Sequence, residues 1–126
     1  MPGQIMILDD DPVFARTLAD YFRANRYEVI EVNNLEDAIN RYRRKKPKVV
    51  LLDFNMPITT GDKFLPILQS MEPLVKAIIV TGEMAENVEE NFKGLGYYAF
   101  FEKGGLSLEK LRAKVDEAFK EAEKAL

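Results

Sequence analysis

Three adjacent carboxylates, Asp9, Asp10 and Asp11, close the run IMILDDDPVF directly after four apolar residues, Ile5 to Leu8. At ~4 Å and an effective dielectric near 20, each like-charged pair costs about 4 kcal/mol before ions screen it. Something must offset that repulsion. Three other polar residues stand at comparable places: Asp53 ends VVLLD, Thr81 ends AIIVT and Lys103 ends YYAFFEK. If these residues meet, Asp9, Asp10 and Asp53 contribute −3 and Lys103 contributes +1, and one divalent cation neutralises the remaining −2. An oxygen-only ligand set, in a chain with neither His nor Cys, selects a hard ion, Mg²⁺ first, with Mn²⁺ or Ca²⁺ as substitutes. A carboxylate can act as a nucleophile toward phosphorus. Phosphoryl transfer then needs little beyond charge stabilisation on the equatorial oxygens. A dication, an ammonium and a hydroxyl supply it, so the set suits phosphoryl transfer to a carboxylate without a histidine.

The elements that must position these residues are legible in the apolar pattern. Five short stretches read as strands: Ile5–Leu8, Glu28–Val32, Val49–Asp53, Ala77–Thr81 and Tyr98–Phe101. Three of them are near-continuous Val, Ile or Leu, which suits strands covered on both faces. Helical spacing fills the intervals. Asp11 before Pro12 reads as an N-cap followed by proline at the first helical position, and Phe14, Leu18 and Phe22 share a face of helix 1. Leu35, Ala38, Ile39 and Tyr42 do the same for helix 2. Helix 3 begins near Gly61 and contains Pro66, which predicts a kink or a late start. Helix 4 runs from about Ala85 to Lys93 and stops at Gly94 and Gly96. Helix 5 opens at Ser107 and carries Leu108, Leu111, Val115, Phe119 and Ala122 at helical intervals. Five βα repeats predict an α/β fold, an open, doubly wound parallel sheet with helices on both faces. In such sheets ligands bind beyond the carboxyl ends of the strands, where strand order reverses, and the polar residues singled out above all stand there.

Composition narrows the class. The chain of 126 residues is 47% hydrophobic and 31% charged, which predicts one soluble globular domain spanning 1–126. The absence of Cys excludes a disulfide framework and suits a reducing, cytoplasmic setting. Apolar runs of about five residues fall far short of the ~20 that a membrane helix needs, and MPGQ leading straight into strand 1 leaves no room for a signal peptide. Net charge is −3, so nothing global favours nucleic acid. The basic run RYRRKKPK, Arg41 to Lys48, reads as the solvated end of a helix whose dipole welcomes cations; its one aromatic, Tyr42, falls on the apolar face of helix 2 and is not free to stack on bases as single-strand binding would want.

Each site residue alone has a plainer reading. Asp11 is better explained as a cap than as chemistry, Thr81 could be a satisfied turn hydroxyl, and Lys103 a surface cation. Asn33 and Asn34, after strand 2, are ordinary turn residues. Asp53 suits a cap less well, because DFNMP places Pro57 four residues on with no immediate helical pattern. The combination is what carries information.

In order and spacing the residues resemble the receiver domain of two-component response regulators, over about residues 4 to 124. The resemblance rests on Asp9–Asp10 after strand 1, Asp53 followed by MP and then Gly61, Thr81 after strand 4, and Lys103 after strand 5. It implies the flavodoxin-like strand order 2-1-3-4-5, which the chemotaxis receiver exemplifies. It implies Asp53 as phosphoacceptor, taking a phosphoryl group from a phosphohistidine on a sensor kinase or phosphotransfer protein. Asp10, Asp53 and the backbone carbonyl of Asn55 would hold Mg²⁺, with Asp9 acting through water. Lys103 would pair with Asp53 and then with its phosphate. Thr81 would move toward the phosphate, freeing space for Phe100 to rotate inward and shifting the surface of helix 4, strand 5 and helix 5 for a downstream partner or output domain. Such a domain is a signalling acceptor that promotes its own phosphorylation and dephosphorylation rather than a dedicated enzyme.

Three positions depart from the family pattern. Gly104 stands where a proline after a cis peptide bond is usual, so nothing in the sequence locks that loop. Gly82 replaces a residue that is often alanine, and Phe100 lacks the usual tyrosine hydroxyl. Asn55 and Glu83, two residues beyond Asp53 and Thr81, bear in the family on how fast water removes the phosphate; both are polar, which implies a short-lived phosphoryl group. Tyr97, Tyr98 and Phe92 are candidates for a phosphorylation-linked homodimer contact or for core packing. A haloacid-dehalogenase-like phosphatase would use Asp9 as nucleophile and Asp11 as acid/base, but Asp11 precedes proline, the later acid pair is missing and no cap domain fits. A receiver used only for docking usually loses an acid or the lysine, and this one keeps all. A flavin or dinucleotide binder would not place ILDDDP where phosphate should sit.

Overall fold

The computed structural model describes residues 3–56 and 59–124; Pro57 of the sequence motif lies outside them. The chain alternates β1 (Gln4–Leu8), α1 (Pro12–Ala24), β2 (Glu28–Val32), α2 (Leu35–Lys45), β3 (Val49–Leu52), α3 (Gly61–Met71), β4 (Lys76–Thr81), α4 (Ala85–Phe92), β5 (Ala99–Glu102) and α5 (Leu108–Lys124). The five strands form one parallel sheet in the order β2-β1-β3-β4-β5. This is the α/β flavodoxin-like arrangement expected.

Period-two alternation along each strand divides the core into two layers. Ile5, Ile7, Val49, Leu51, Ile78 and Val80 face α1 and α5, where Leu18, Phe22, Leu111 and Val115 cover them. Met6, Leu8, Val50, Leu52, Ala77 and Ile79 face the other way, against Tyr42 of α2, Phe64, Leu65 and Leu68 of α3, and Phe92 of α4. Burial on both faces explains why these strands read as unbroken aliphatic runs.

The caps follow the sequence closely. The Asp11 carboxylate accepts from the N–H groups of Val13 at 3.0 Å and Phe14 at 3.2 Å. Asn34, read as a turn residue, also caps: its side chain accepts from Asp37 N–H at 2.9 Å. Ser107 Oγ accepts from Lys110 N–H at 3.2 Å. Arg43, Arg44 and Lys45 occupy the last turn of α2, and Lys46 follows in the left-handed conformation, so the basic run is a helix end as read.

Three expectations shift, for Pro66, β3 and β5, and one open choice, for Phe92, is decided. Pro66 does not delay α3, which starts at Gly61 and runs through it; in the second turn a proline forfeits one intrahelical bond while its neighbours Leu65 and Leu68 are buried. β3 stops at Leu52, leaving Asp53 just beyond the ladder, and β5 is Ala99–Glu102 rather than Tyr98–Phe101. Tyr98 instead turns its hydroxyl to Glu117 of α5 at 2.6 Å. Phe92 is fully buried, which removes it from any docking contact; its ring packs edge-on between Phe54 and Tyr97.

Candidate functional site

The last ladder bonds of the inner strands aim the acids. Asp9 N–H donates to Val32 O at 3.2 Å, and Asp53 N–H donates to Leu8 O at 3.0 Å. The two carboxylates therefore emerge side by side where β1 and β3 end, and both are buried, at 2% and 3% exposure. Asp10 is exposed beside them. One carboxylate oxygen from each of Asp9, Asp10 and Asp53 lies within 4.8 Å of the others. Lys103 reaches the same point from the edge: its N–H donates to Thr81 O at 2.8 Å, and its ammonium lies 2.8 Å from Asp9 Oδ2 and 3.4 Å from Asp53 Oδ2. The lysine thus bridges two acids and sits closer to Asp9 than to Asp53, its expected partner. Asp9 Oδ1 is already taken by the N–H of Asp11 at 2.9 Å, which turns Oδ2 toward the ammonium.

Thr81 is fully buried, and its hydroxyl accepts from Glu83 N–H at 3.3 Å. Asn55 N–H donates to Asp53 Oδ1, and the Asn55 side chain donates to Glu83 Oε1, each at 3.4 Å. Asn55 and Glu83 therefore join the loops after β3 and β4 at the edge of the acid cluster. Gly61 presses on the same loop: its N–H donates to Phe54 O at 2.8 Å, and a Cβ there would stand 2.4 Å from the Asp53 carbonyl oxygen. Only a residue without a side chain permits that approach. Phe100 lies off the cluster. It pairs with Ile79, on the face of the sheet that Thr81 shares two residues further along β4, and its ring is 6.3 Å from that of Tyr97.

Burial first, and neighbouring charge second, explain the protonation behaviour. Burial pushes the Asp9 carboxyl up to about 7, against the bond from Lys103 and the N–H of Asp11, and Asp53 adds to the rise. Desolvation, then the Asp53 charge, also raises Asp10. Burial alone would lower Lys103, but its bond to Asp9 and the charges of Asp53 and Asp9 raise it on balance. Three carboxylates gather around one ammonium, and the candidate ligand atoms are all carboxylate oxygens. That is the chemistry of a hard-cation site.

Sequence comparison decides the family. The response regulator receiver domain profile matches residues 5–116. The chain belongs to this family. Among curated relatives, the probable transcriptional regulatory protein TcrX of Mycobacterium tuberculosis is 30% identical over 94 residues, 75% of this receiver and 39% of TcrX. The receiver thus spans about two fifths of the length of that relative. Among solved structures, a response regulator receiver domain protein from Methanospirillum hungatei matches with a TM-score of 0.91 at 22% identity, covering 100% of both chains. A response regulator protein from Burkholderia pseudomallei, solved with a phosphorylated aspartic acid, calcium ion and citrate, matches with a TM-score of 0.82 at 22% identity, covering 98% of this receiver and 73% of that chain. At these identities the structural likenesses speak to the fold.

Two features escaped the sequence reading. The close approach of Gly61 to Asp53 gives the motif glycine its physical reason. Phe14, read only as part of a helix face, places its ring 4.4 Å from the Lys103 ammonium. Its spacing, one helical turn after Asp10, was the available signal.

Proposed function

We propose that this receiver accepts a phosphoryl group on Asp53 in a Mg²⁺-dependent reaction with a phosphohistidine donor on a sensor kinase or phosphotransfer protein. The observation that carries the reading is the meeting of three carboxylates with one bridging ammonium at the ends of β1, β3 and β5. Asp10, Asp53 and the Asn55 backbone carbonyl are assigned to the cation, with Asp9 acting through water; the ion would supply charge neutralisation on the phosphoryl oxygens. A carboxylate oxygen of Asp53 attacks phosphorus, the P–N bond to the donor imidazole breaks, and the imidazole nitrogen keeps the electron pair. The Lys103 ammonium follows the charge from the carboxylate to the phosphoryl oxygens. Asp9 is less suited to be the nucleophile, since its two oxygens are held at 2.9 Å by Asp11 N–H and 2.8 Å by Lys103, whereas the corresponding contacts of Asp53 are both 3.4 Å.

Thr81 is assigned the switching role: its hydroxyl leaves Glu83 N–H and bonds a phosphoryl oxygen, and Phe100, on the same sheet face, rotates inward. Downstream recognition then falls to α4, β5 and α5, by a protein partner, an output domain or a second copy, within the cytoplasm. Among the described residues no helix is long and apolar enough to cross a membrane. The test is phosphorylation by acetyl phosphate with Mg²⁺ or with EDTA. The wild type should be labelled only with the cation, and Asp53→Asn not at all; labelling that persists in EDTA or in the variant refutes the reading.

A further inference from the structure

We infer that Phe14 is a positioning residue, its ring face holding the Lys103 ammonium between Asp9 and Asp53; this rests on the phosphoacceptor reading above. The loop behind the lysine gives it no wall. Gly104 and Gly105 are exposed, a Cβ at either position would meet nothing within 4 Å, and Gly105 has φ +72°. On the β4 side Gly82 leaves the stem loosely flanked, since the nearest atom to a Cβ there would be Lys103 Cδ at 3.9 Å. Containment comes instead from α1. The Phe14 ring lies 4.4 Å from Nζ and is packed, half-buried, against the layer formed by α1 and α5.

The ring is also tied to the acids it serves. Asp11 N–H bonds Asp9, and the Asp11 carboxylate accepts the N–H of Phe14 at 3.2 Å. Any movement of the first turn of α1 therefore moves the ring and Asp9 together. An ammonium has three N–H donors and no acceptor. Two directions are met by Asp9 and Asp53, and the electron-rich ring face meets the third, where water would otherwise compete. A lysine so held loses little order when charge passes from Asp53 to a phosphoryl group. Sequence alone would assign Phe14 to packing, as its neighbours Leu18 and Phe22 are.

The test separates ring electronics from packing. Phe14 is replaced by Leu, by Tyr and by phenylalanines of increasing fluorination, which keep the ring while weakening its attraction for cations. Phosphorylation by acetyl phosphate with Mg²⁺ should slow about threefold to tenfold in Phe14→Leu, recover in Phe14→Tyr, and fall stepwise with fluorination at unchanged melting temperature. The Lys103 ε-methylene protons should be shifted upfield by the ring in the unphosphorylated wild type and return to ordinary positions in Phe14→Leu. Rates flat across the fluorinated series, or Lys103 protons indifferent to the ring, overturn the inference. If the upfield shift is present but Asp53 takes no label in the wild type, the lysine is positioned as inferred and it is the phosphoacceptor reading that fails.

Discussion

Replacing Asp9 with Asn should make the cation-free protein more stable at neutral pH. Asp9 is 2% exposed, and its carboxyl is raised from 3.8 to about 7, chiefly by burial. A raised carboxylate pKa contributes stability fully below the unfolded value near 3.8, and that contribution is lost as pH rises through 7. At 1.36 kcal/mol per unit the ceiling is about 4 kcal/mol at pH 8. Water relaxing around the ionised group reduces it, so we expect about 2 kcal/mol. Asn keeps the shape and the bond from Asp11 N–H without ionising. Its amide NH2 then faces the Lys103 ammonium where Oδ2 had accepted at 2.8 Å, so the lysine must turn toward Asp53; that loss is part of why we expect well under the ceiling. The assay is urea unfolding in EDTA at pH 4 and pH 8, followed by far-UV circular dichroism because the chain has no Trp. Variant and wild type should converge at pH 4 and separate at pH 8, with the variant more stable. Saturating Mg²⁺ should then stabilise the wild type more than the variant. A variant less stable than wild type at pH 8, or a gap that does not change with pH, refutes the reasoning.

Three further substitutions probe the scaffold of the site. Gly61→Ala should cost about 2 kcal/mol and slow phosphorylation, because its methyl would stand 2.4 Å from the Asp53 carbonyl oxygen; unfolding and acetyl phosphate assays on one preparation check both. Gly82→Ala should gain about 0.5 kcal/mol in urea unfolding, since its φ is not left-handed and the new methyl meets only Lys103 Cδ at 3.9 Å. Asp11→Ala should lose about 1 kcal/mol by removing the acceptor for the N–H groups of Val13 and Phe14, read as a lower urea midpoint.

The parts of this receiver that local chemistry dictates were legible in its sequence. Aliphatic runs marked the strands, Asp11 before Pro12 marked the start of α1, and the polar residues after each run marked the strand ends where Asp9, Asp53 and Lys103 now meet. What remained hidden depends on contacts between residues far apart in the chain. Nothing local distinguishes a lysine that favours Asp9 from one that favours Asp53: each carboxylate has its other oxygen on an N–H two residues on, and the preference shows only where the residue after β5 meets the ends of β1 and β3. Phe14 and Phe92 look alike as helical aromatics, yet one contacts an ammonium and the other fills the core between Phe54 and Tyr97. β5 starts one residue later than the aromatic pattern predicts: Tyr98, despite its strand propensity, stands just before the strand with its hydroxyl on Glu117 of α5.

The central claim, that cation-assisted chemistry falls on one particular carboxylate, is tested most directly by locating the phosphoryl group. Wild-type protein is incubated with acetyl phosphate and Mg²⁺, the acyl phosphate is trapped by borohydride reduction, and the peptides are sequenced by mass spectrometry. The account predicts modification at Asp53 alone, absent when EDTA replaces Mg²⁺. Modification at Asp9 or Asp10, or none at any aspartate under conditions where Mg²⁺ binds, would contradict it.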